Sequence, residues 1–399
     1  MAMIRPETEM KDSGVKYVGL IPRTWKIVQL KYCTDCLDGK RVPIDASLRK
    51  SGIYPYWGAG RIMDYVDDYI FDEKLVLLGE DGAPFFDDFR PVSHLIDGKV
   101  WVNNHIHVLR TKDSIVDSYL VHALNSVDYH EYINGSILNK LTQSNMNRIK
   151  IPLPSIAEQQ AIADYLDETC SKIDEIIAEA KVSIDEYKKL KIGQINKYTV
   201  HKMKRTKLKY ITEKIGDGIH TTPEYSDEGT IRFINGGSFG EDSIKMIGPM
   251  LSNEEYQKQN KSLLNEHTVM IALNGANFGN TSLYNNETIL LGKSAGYITL
   301  KPTVCREYVR YCLENSVTKE AFDLSLNGTT IPNLSLNTLR NTEICLPDYS
   351  IQKQLAKTIK KMIVKMDSLI AEKESLINDL EAYKKSLIYE VVTGKRRVV

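Results

Sequence analysis

Cys33 and Cys36 form a C-x-x-C, the first spacing in this chain that could hold a metal. A structural zinc site needs four ligands, and no second close Cys/His pair follows, so reduced and partly buried thiols are expected. The six cysteines, at 33, 36, 170, 305, 312 and 345 of 399 residues, do not read as a disulfide framework. His105 and His107 alternate in "VNNHIHVLR" (102–110) without a carboxylate motif beside them, so no metal is expected there either. "ETILLGKS" (287–294) ends like a phosphate-binding loop but has Glu287 where the first glycine belongs. "FDEKLV" (71–76) has the acidic-lysine order of some nucleases, in what reads as a surface turn. Transfer of a methyl group to an amine needs an [N/D]-P-P-[Y/F] motif, and the chain has no Pro-Pro. No set of residues makes a convincing active site, and none is expected to hold a cofactor.

What remains suits recognition. "DGKR" (38–41) presents Lys40 and Arg41 in a turn, and "GIYPYWGAGR" (52–61) sets Tyr56, Trp57 and Arg61 among glycines. Alternation along 102–110 puts Asn103, His105 and His107 on one strand face, next to Asn104. Ser136, Asn139 and Lys140 follow in "GSILNKL". The later part of the chain offers His220, Thr221 and Thr222, then Asn235 and Ser238. Asn274 and Asn277, Lys293 and Ser294, and Thr329, Thr330 and Asn333 complete the set. Such side chains read base edges in a DNA groove, and glycine-rich turns let backbone approach phosphate. Gly, Asn and Ser are also the ordinary residues of turns. The 52 basic and 52 acidic residues balance, so a DNA-binding face must be local or completed by a partner.

The elements that must position these residues occur twice. "IPLPSIAEQQAIADYLDE" from Ile151 returns as "ICLPDYSIQKQLAKTIKK" from Ile344, 193 positions later. At the same shift "LVLLGEDG" (75–82) lies over "TVMIALNG" (268–275), and "GSILNKLTQSNMNRIKIPLP" (135–154) over "GTTIPNLSLNTLRNTEICLP" (328–347). "YLVHALNS" (119–126) resembles "YVRYCLENS" (308–316) at a nearly equal shift. The recurring order is strand, turn glycine, more strands, short helix, Gly-Ser/Thr turn, Leu-Pro, long helix.

The first long helix keeps a coiled-coil period through Ile162, Leu166, Cys170, Ile173, Ile177, Ala180, Ile184 and Tyr187. The second keeps it through Leu355, Ile359, Met362, Met366, Leu369, Lys373, Leu376, Leu380, Tyr383 and Leu387, with Lys373 off pattern. Roughly 40 residues at about 1.5 Å each give about 60 Å, longer than a small domain is wide. The chain therefore reads as mixed α+β with a pseudo-two-fold internal repeat. Two strand-rich domains, 1–153 and 201–346, are separated by two long antiparallel coiled-coil helices, 154–200 and 347–399. No apolar stretch is long enough for a membrane span, and "MAMIRPETEMKDSG" has no apolar secretory core, so a cytoplasmic location is expected.

These residues resemble the specificity (S) subunits of type I restriction-modification systems. "YVGLIPRTWKIVQLK" (17–31) is similar to the opening of that family's first target-recognition domain, and "GIYPYWGAG" to a recurrent phrase within it. "LPSIAEQQAIADYLDETCSKID" and its copy resemble the family's two conserved helical regions, and "YKKSLIYEVVTGK" (383–395) its close. The copies differ: the second has no counterpart of Glu158, the first is three residues shorter between "IAE" and "YKK", and "KIGQINKYTVHK" lacks "VTGK".

The resemblance implies a subunit without catalytic activity. Each recognition domain would read one half of a split, asymmetric site in double-stranded DNA, with the helices fixing the spacer. Two methyltransferase (M) subunits, which bind S-adenosylmethionine, would dock on Gln159, Ile162, Leu166 and Ile173 and on Gln352, Leu355, Ile359 and Met366. Restriction (R) subunits, using ATP and Mg, would join them. Two other classes remain: a free-standing nuclease or methyltransferase, which the missing motifs disfavour, and a coiled-coil scaffold that never touches DNA. The scaffold leaves unexplained why two domains diverged on one outline.

Overall fold

The computed structural model describes the chain except residues 1–2, 88, 134–138, 201–204, 241–242, 261, 276, 327–332 and 399. The chain forms two compact units, one of Met1–Lys181 with Glu374–Val399 and one of Val182–Lys373. Each unit thus takes one strand-rich domain and part of each long helix.

In the first unit a four-stranded antiparallel sheet runs Ser93–Ile96, Leu75–Gly79, Ile106–Thr111, Thr34–Cys36. Its strand "LVLLG" is apolar throughout because both faces are covered. Val76 and Leu78 pack with the helices, while Leu75 and Leu77 pack under a second sheet. That second sheet contains a parallel pair, Ser51–Trp57 with Lys99–Val102.

The second unit repeats this plan. Its antiparallel sheet runs Thr212–Asp217, Ala295–Leu300, Thr268–Ala272, Thr281–Leu283, and its second sheet pairs Ile231–Ile234 with Ile289–Leu291 in parallel. Val269 and Ile271 face one core and Met270 the other.

Small features are also duplicated. The short helices Gln143–Arg148 and Leu336–Asn341 are capped by Thr142 and Ser335, which accept from the N–H groups of Asn145 and Thr338. One further repeat is easily missed in the sequence. "LKYC" (30–33) and "LKYI" (208–211) each form one helical turn, and the Leu30 and Leu208 N–H groups donate to the Ile149 and Thr342 carbonyls. These turns are 178 positions apart rather than 193, because the connections after them differ in length.

The long helices span Ile156–Thr199 and Tyr349–Val392. In the first unit Ile162, Leu166 and Cys170 share a core with Leu387 and Val391; in the second Ile195 shares one with Ala356, Ile359 and Ile363. The start of one helix meets the end of the other in each unit, so the pairing is antiparallel. Lys384 reaches Asp174 at 2.6 Å and Lys191 reaches Asp367 at 2.8 Å across it. These pairs, the first exposed and the second partly buried, contribute less than the apolar seam.

The first helix follows its heptad reading, with Ile162 through Ile184 buried. The second departs from it: Ile363 and Ile377 are buried, while Leu376 and Tyr383 are exposed. Seven residues do not close two turns of an ideal helix, so the buried stripe drifts by one position.

The departures between the copies have structural causes. Glu158 accepts from Arg5 Nη2 at 2.8 Å and from Trp25 Nε1 at 2.9 Å, both in the N-terminal segment of the first domain. The helix in the second copy carries Ile351 there. The "VTGK" ending closes the first unit. Gly394 sits at φ +72°, and a Cβ on it would lie 2.5 Å from Pro22 and 2.8 Å from Trp25. Lys395 Nζ donates to the Val18 carbonyl at 3.2 Å, and Met3–Ile4 pairs with Arg396–Arg397. The phrases "YVGLIPRTW" and "VTGK" are therefore two sides of one contact.

Candidate nucleic-acid interface

After its central strand each unit turns through a glycine of positive φ, Gly82 at +67° and Gly275 at +82°. Only glycine takes that conformation without strain. Three backbone links fix what surrounds the turn, and all three occur in both units. The Glu80 N–H donates to the His105 carbonyl at 3.0 Å, and the Leu273 N–H to that of Ser294 at 2.9 Å. The Leu141 N–H donates to the Glu80 carbonyl at 2.6 Å, and the Leu334 N–H to that of Leu273 at 2.7 Å. Asp81 bridges Lys140 in the first unit, and Asn274 bridges Asn333 in the second. The same frame thus carries Asp81, His105 and Lys140 in one unit and Asn274, Ser294 and Asn333 in the other.

The first frame is charged. Lys140 Nζ lies 3.2 Å from Glu80 and 3.6 Å from Asp81, and His105 Nδ1 contacts Asp81. The hydrogen bond and charge of Glu80 push the Lys140 ammonium above its ordinary value. The His105 and Lys140 side chains are 51% and 45% exposed, enough to reach a ligand.

Beneath them lies an ion network. Arg41 contacts Glu80 at 2.5 Å and Asp38 at 3.3 Å, and donates to the Ile106 carbonyl at 2.9 Å. His107 lies between Asp38, at 2.6 Å from Nδ1, and the Leu141 carbonyl, at 2.8 Å from Nε2. Burial pulls the Asp38 carboxyl upward, but the His107 hydrogen bond and charge, the Val108 N–H and Arg41 outweigh it, and its pKa is lowered. Among the described residues Asp38, Glu80 and His107 are the one group of three metal-type donors close together. Their donor atoms are already matched by Arg41 and Leu141, so the group serves as an internal ion network.

The second frame is neutral. Leu273 belongs to the apolar core where Glu80 stands in the first unit. Ser294 Oγ accepts from the Gly236 N–H and donates to Asn235 Oδ1, both at 3.0 Å. A Cβ at Gly236 would lie 2.7 Å from the Ser294 carbonyl, which explains one glycine of "INGGS". Asn277 donates to the Gly237 carbonyl at 3.3 Å.

Two matches decide the family. A family model for the type I restriction modification DNA specificity domain fits the chain at residues 22–186 and again at 190–379. The chain belongs to this specificity-domain family. Type I restriction enzyme MjaVIII specificity subunit of Methanocaldococcus jannaschii is 22% identical to it over 410 residues, covering 95% of this chain and 94% of the relative. S.HindORF215P of Haemophilus influenzae is 28% identical over 285 residues, covering 66% of this chain and 68% of the relative. A solved chain from work on complex assembly and conformational transition of the type I R-M system has the same fold, with TM-score 0.72, 15% identity and coverage of 94% and 99%.

Within this specificity-domain chain the remaining recognition candidates divide by exposure. Lys40, Arg61, Asn104, Asn139, His220, Thr221, Thr222, Lys293 and Asn333 are exposed, with Asn235. Ser136, Thr329 and Thr330 lie outside the described residues.

Five candidates need correction. Tyr56 is in the core, its hydroxyl bonded by the Ile44 N–H, and His107 is buried in the ion network. Asn103 is buried and accepts from the His105 N–H, and Ser238 is buried and donates to the Ile247 carbonyl. Arg41 is committed to Glu80, Asp38 and backbone carbonyls. Trp57 is half-buried and packs on His94, ring centroids 5.1 Å apart. The strand-face reading of Asn103, His105 and His107 also fails, because the strand begins at Ile106 and the preceding turn breaks the alternation.

Asp81 was not among the candidates, although "GEDG" over "ALNG" sets it opposite Asn274. The acidic-lysine run is divided between two ion pairs, Glu73 with Arg110 at 2.7 Å and Lys74 with Asp117 at 3.5 Å.

The helix residues expected to dock partners face inward. Ile162, Leu166, Ile173 and Ile359 are buried, and Leu355 and Met366 half-buried. Gln159 and Gln352 are buried and bonded to their own domains. These side chains hold domain and helices together. Among the described residues no helix is long and apolar enough to cross a membrane.

Proposed function

We propose that the chain is the DNA-recognition subunit of a type I restriction-modification complex and carries out no bond-making step itself. Each unit reads one half of a split, asymmetric site, and the paired helices set the spacer between the halves. Half-sites about one helical turn apart would present themselves to related domains on one DNA face. Two methyltransferase subunits dock on the outer faces of the helices and bring S-adenosylmethionine. Restriction subunits bring ATP and Mg. The net charge of zero fits a reader whose partners supply part of the positive charge that phosphates require.

The observation that carries this reading is the duplicated frame, which keeps its backbone links and changes its side chains. A scaffold that never met DNA leaves unexplained why two domains on one outline diverge in the side chains this frame presents. Methylation-aware sequencing of host DNA with and without the gene tests it: loss of adenine methylation at a split motif is expected. Replacing residues 201–346 with another relative's domain should change one half-site only; a change in both would sink the two-reader reading. Removing one turn from both helices should shorten the spacer or abolish methylation.

A further inference from the structure

The two duplicated frames carry different chemistry, and we propose that they select different base pairs. The Asp81–His105–Lys140 frame takes a G·C pair, and the Asn274–Ser294–Asn333 frame takes an A·T pair. This rests on the reading of the chain as a two-half DNA reader.

Backbone geometry cannot be the source of a difference, because the same three links hold both frames. The side chains are the source. In the first frame a cation and a carboxylate stand side by side, with Lys140 Nζ 3.6 Å from Asp81. In the major groove guanine offers two acceptors, N7 and O6, and its paired cytosine offers the N4 amine as donor. An ammonium beside a carboxylate complements that edge. On an A·T pair the adenine N6 amine would meet the ammonium and the thymine O4 would meet the carboxylate, both repulsive. Half-buried Arg41 and Glu80 keep this charged pair in place from below.

The second frame has two neutral amides and a hydroxyl. Each amide both donates and accepts, which suits the adenine N7 acceptor and N6 donor. Leu273 beneath it offers nothing to balance a full charge.

The test is methylation-aware sequencing of hosts carrying the full chain with its methyltransferase partner. In Asp81→Asn/Lys140→Asn, preference for G·C at one position of one half-site should fall about ten-fold or more, with the other half-site unchanged. In Asn274→Asp/Asn333→Lys the A·T preference should fall in the other half-site. A wild-type split motif that both variants leave unaltered overturns the proposal. Should either double variant methylate no DNA, the single changes Lys140→Asn and Asn333→Lys decide: a relaxed base preference confined to one half-site in each supports it, and an unchanged motif in both overturns it. If the wild type methylates no split motif, the two-half reading fails as well, a result distinct from the others.

Discussion

Gln159 and Gln352, 193 positions apart, make the same hydrogen bonds. Gln159 Oε1 accepts from the Val116 N–H at 2.9 Å and its Nε2 donates to the Pro154 carbonyl at 3.0 Å. Gln352 Oε1 accepts from the Cys305 N–H at 2.9 Å and its Nε2 donates to the Pro347 carbonyl at 2.7 Å. Each glutamine ties the first turn of a long helix to the residue that opens another helix of its own domain, Asp117–Asn125 after Val116 and Arg306–Glu314 after Cys305. The glutamine is thus shared by both copies because its task is internal.

Replacing either glutamine with alanine leaves a buried N–H without a partner. Each change should destabilise its own unit by about 1–3 kcal/mol, with similar values for the two. Urea unfolding measures this; a loss near zero at either site would contradict the shared role.

Glu158→Ala should act in one copy only. It removes the acceptor for Arg5 and Trp25, and the Arg5 side chain is just 12% exposed. Limited proteolysis should release the segment before residue 17 faster than in wild type. Ile351→Ala, at the matching place, should leave that rate unchanged; equal effects from both changes would rule the contact out.

Gly394→Ala meets a positive φ and a Cβ position 2.5 Å from Pro22. A loss of more than about 1 kcal/mol is expected, since both strain and overlap oppose the change. Hydrogen exchange should show the Met3–Ile4 pairing with Arg396–Arg397 opening first.

The drift of the second helix gives a direct comparison. Ile363→Ala should destabilise by about 2–5 kcal/mol, as for other buried large-to-small changes. Leu376→Ala, at the position favoured by the heptad count but exposed in the fold, should change stability by less than about 1 kcal/mol. Equal losses in urea unfolding would favour the simple heptad.

Acid should weaken the first unit through Asp38. Its folded pKa lies below the ordinary 3.8. Its stabilising contribution is therefore complete above that value and disappears as pH falls through the lower folded pKa. Asp38→Asn should be less stable at neutral pH and should lose less on acidification below about pH 4. Parallel stability curves for the two proteins would exclude Asp38 as a source of the acid sensitivity.

Amino-acid order alone determined the duplication, the antiparallel helix pair and the absence of a recognisable catalytic motif. Those features are local or periodic: a proline before a helix, an apolar residue every three or four positions, a strand running into "GEDG" or "ALNG". Tertiary structure decided which polar residues were left for a ligand. His105 and His107 are two positions apart, yet one is half exposed and the other sealed between Asp38 and Leu141. That division depends on where the strand begins, and on Asp38, Glu80 and Leu141 reaching it from distant parts of the chain. A buried polar group needs partners that only the folded chain brings together, so the sequence could nominate both histidines but not choose between them.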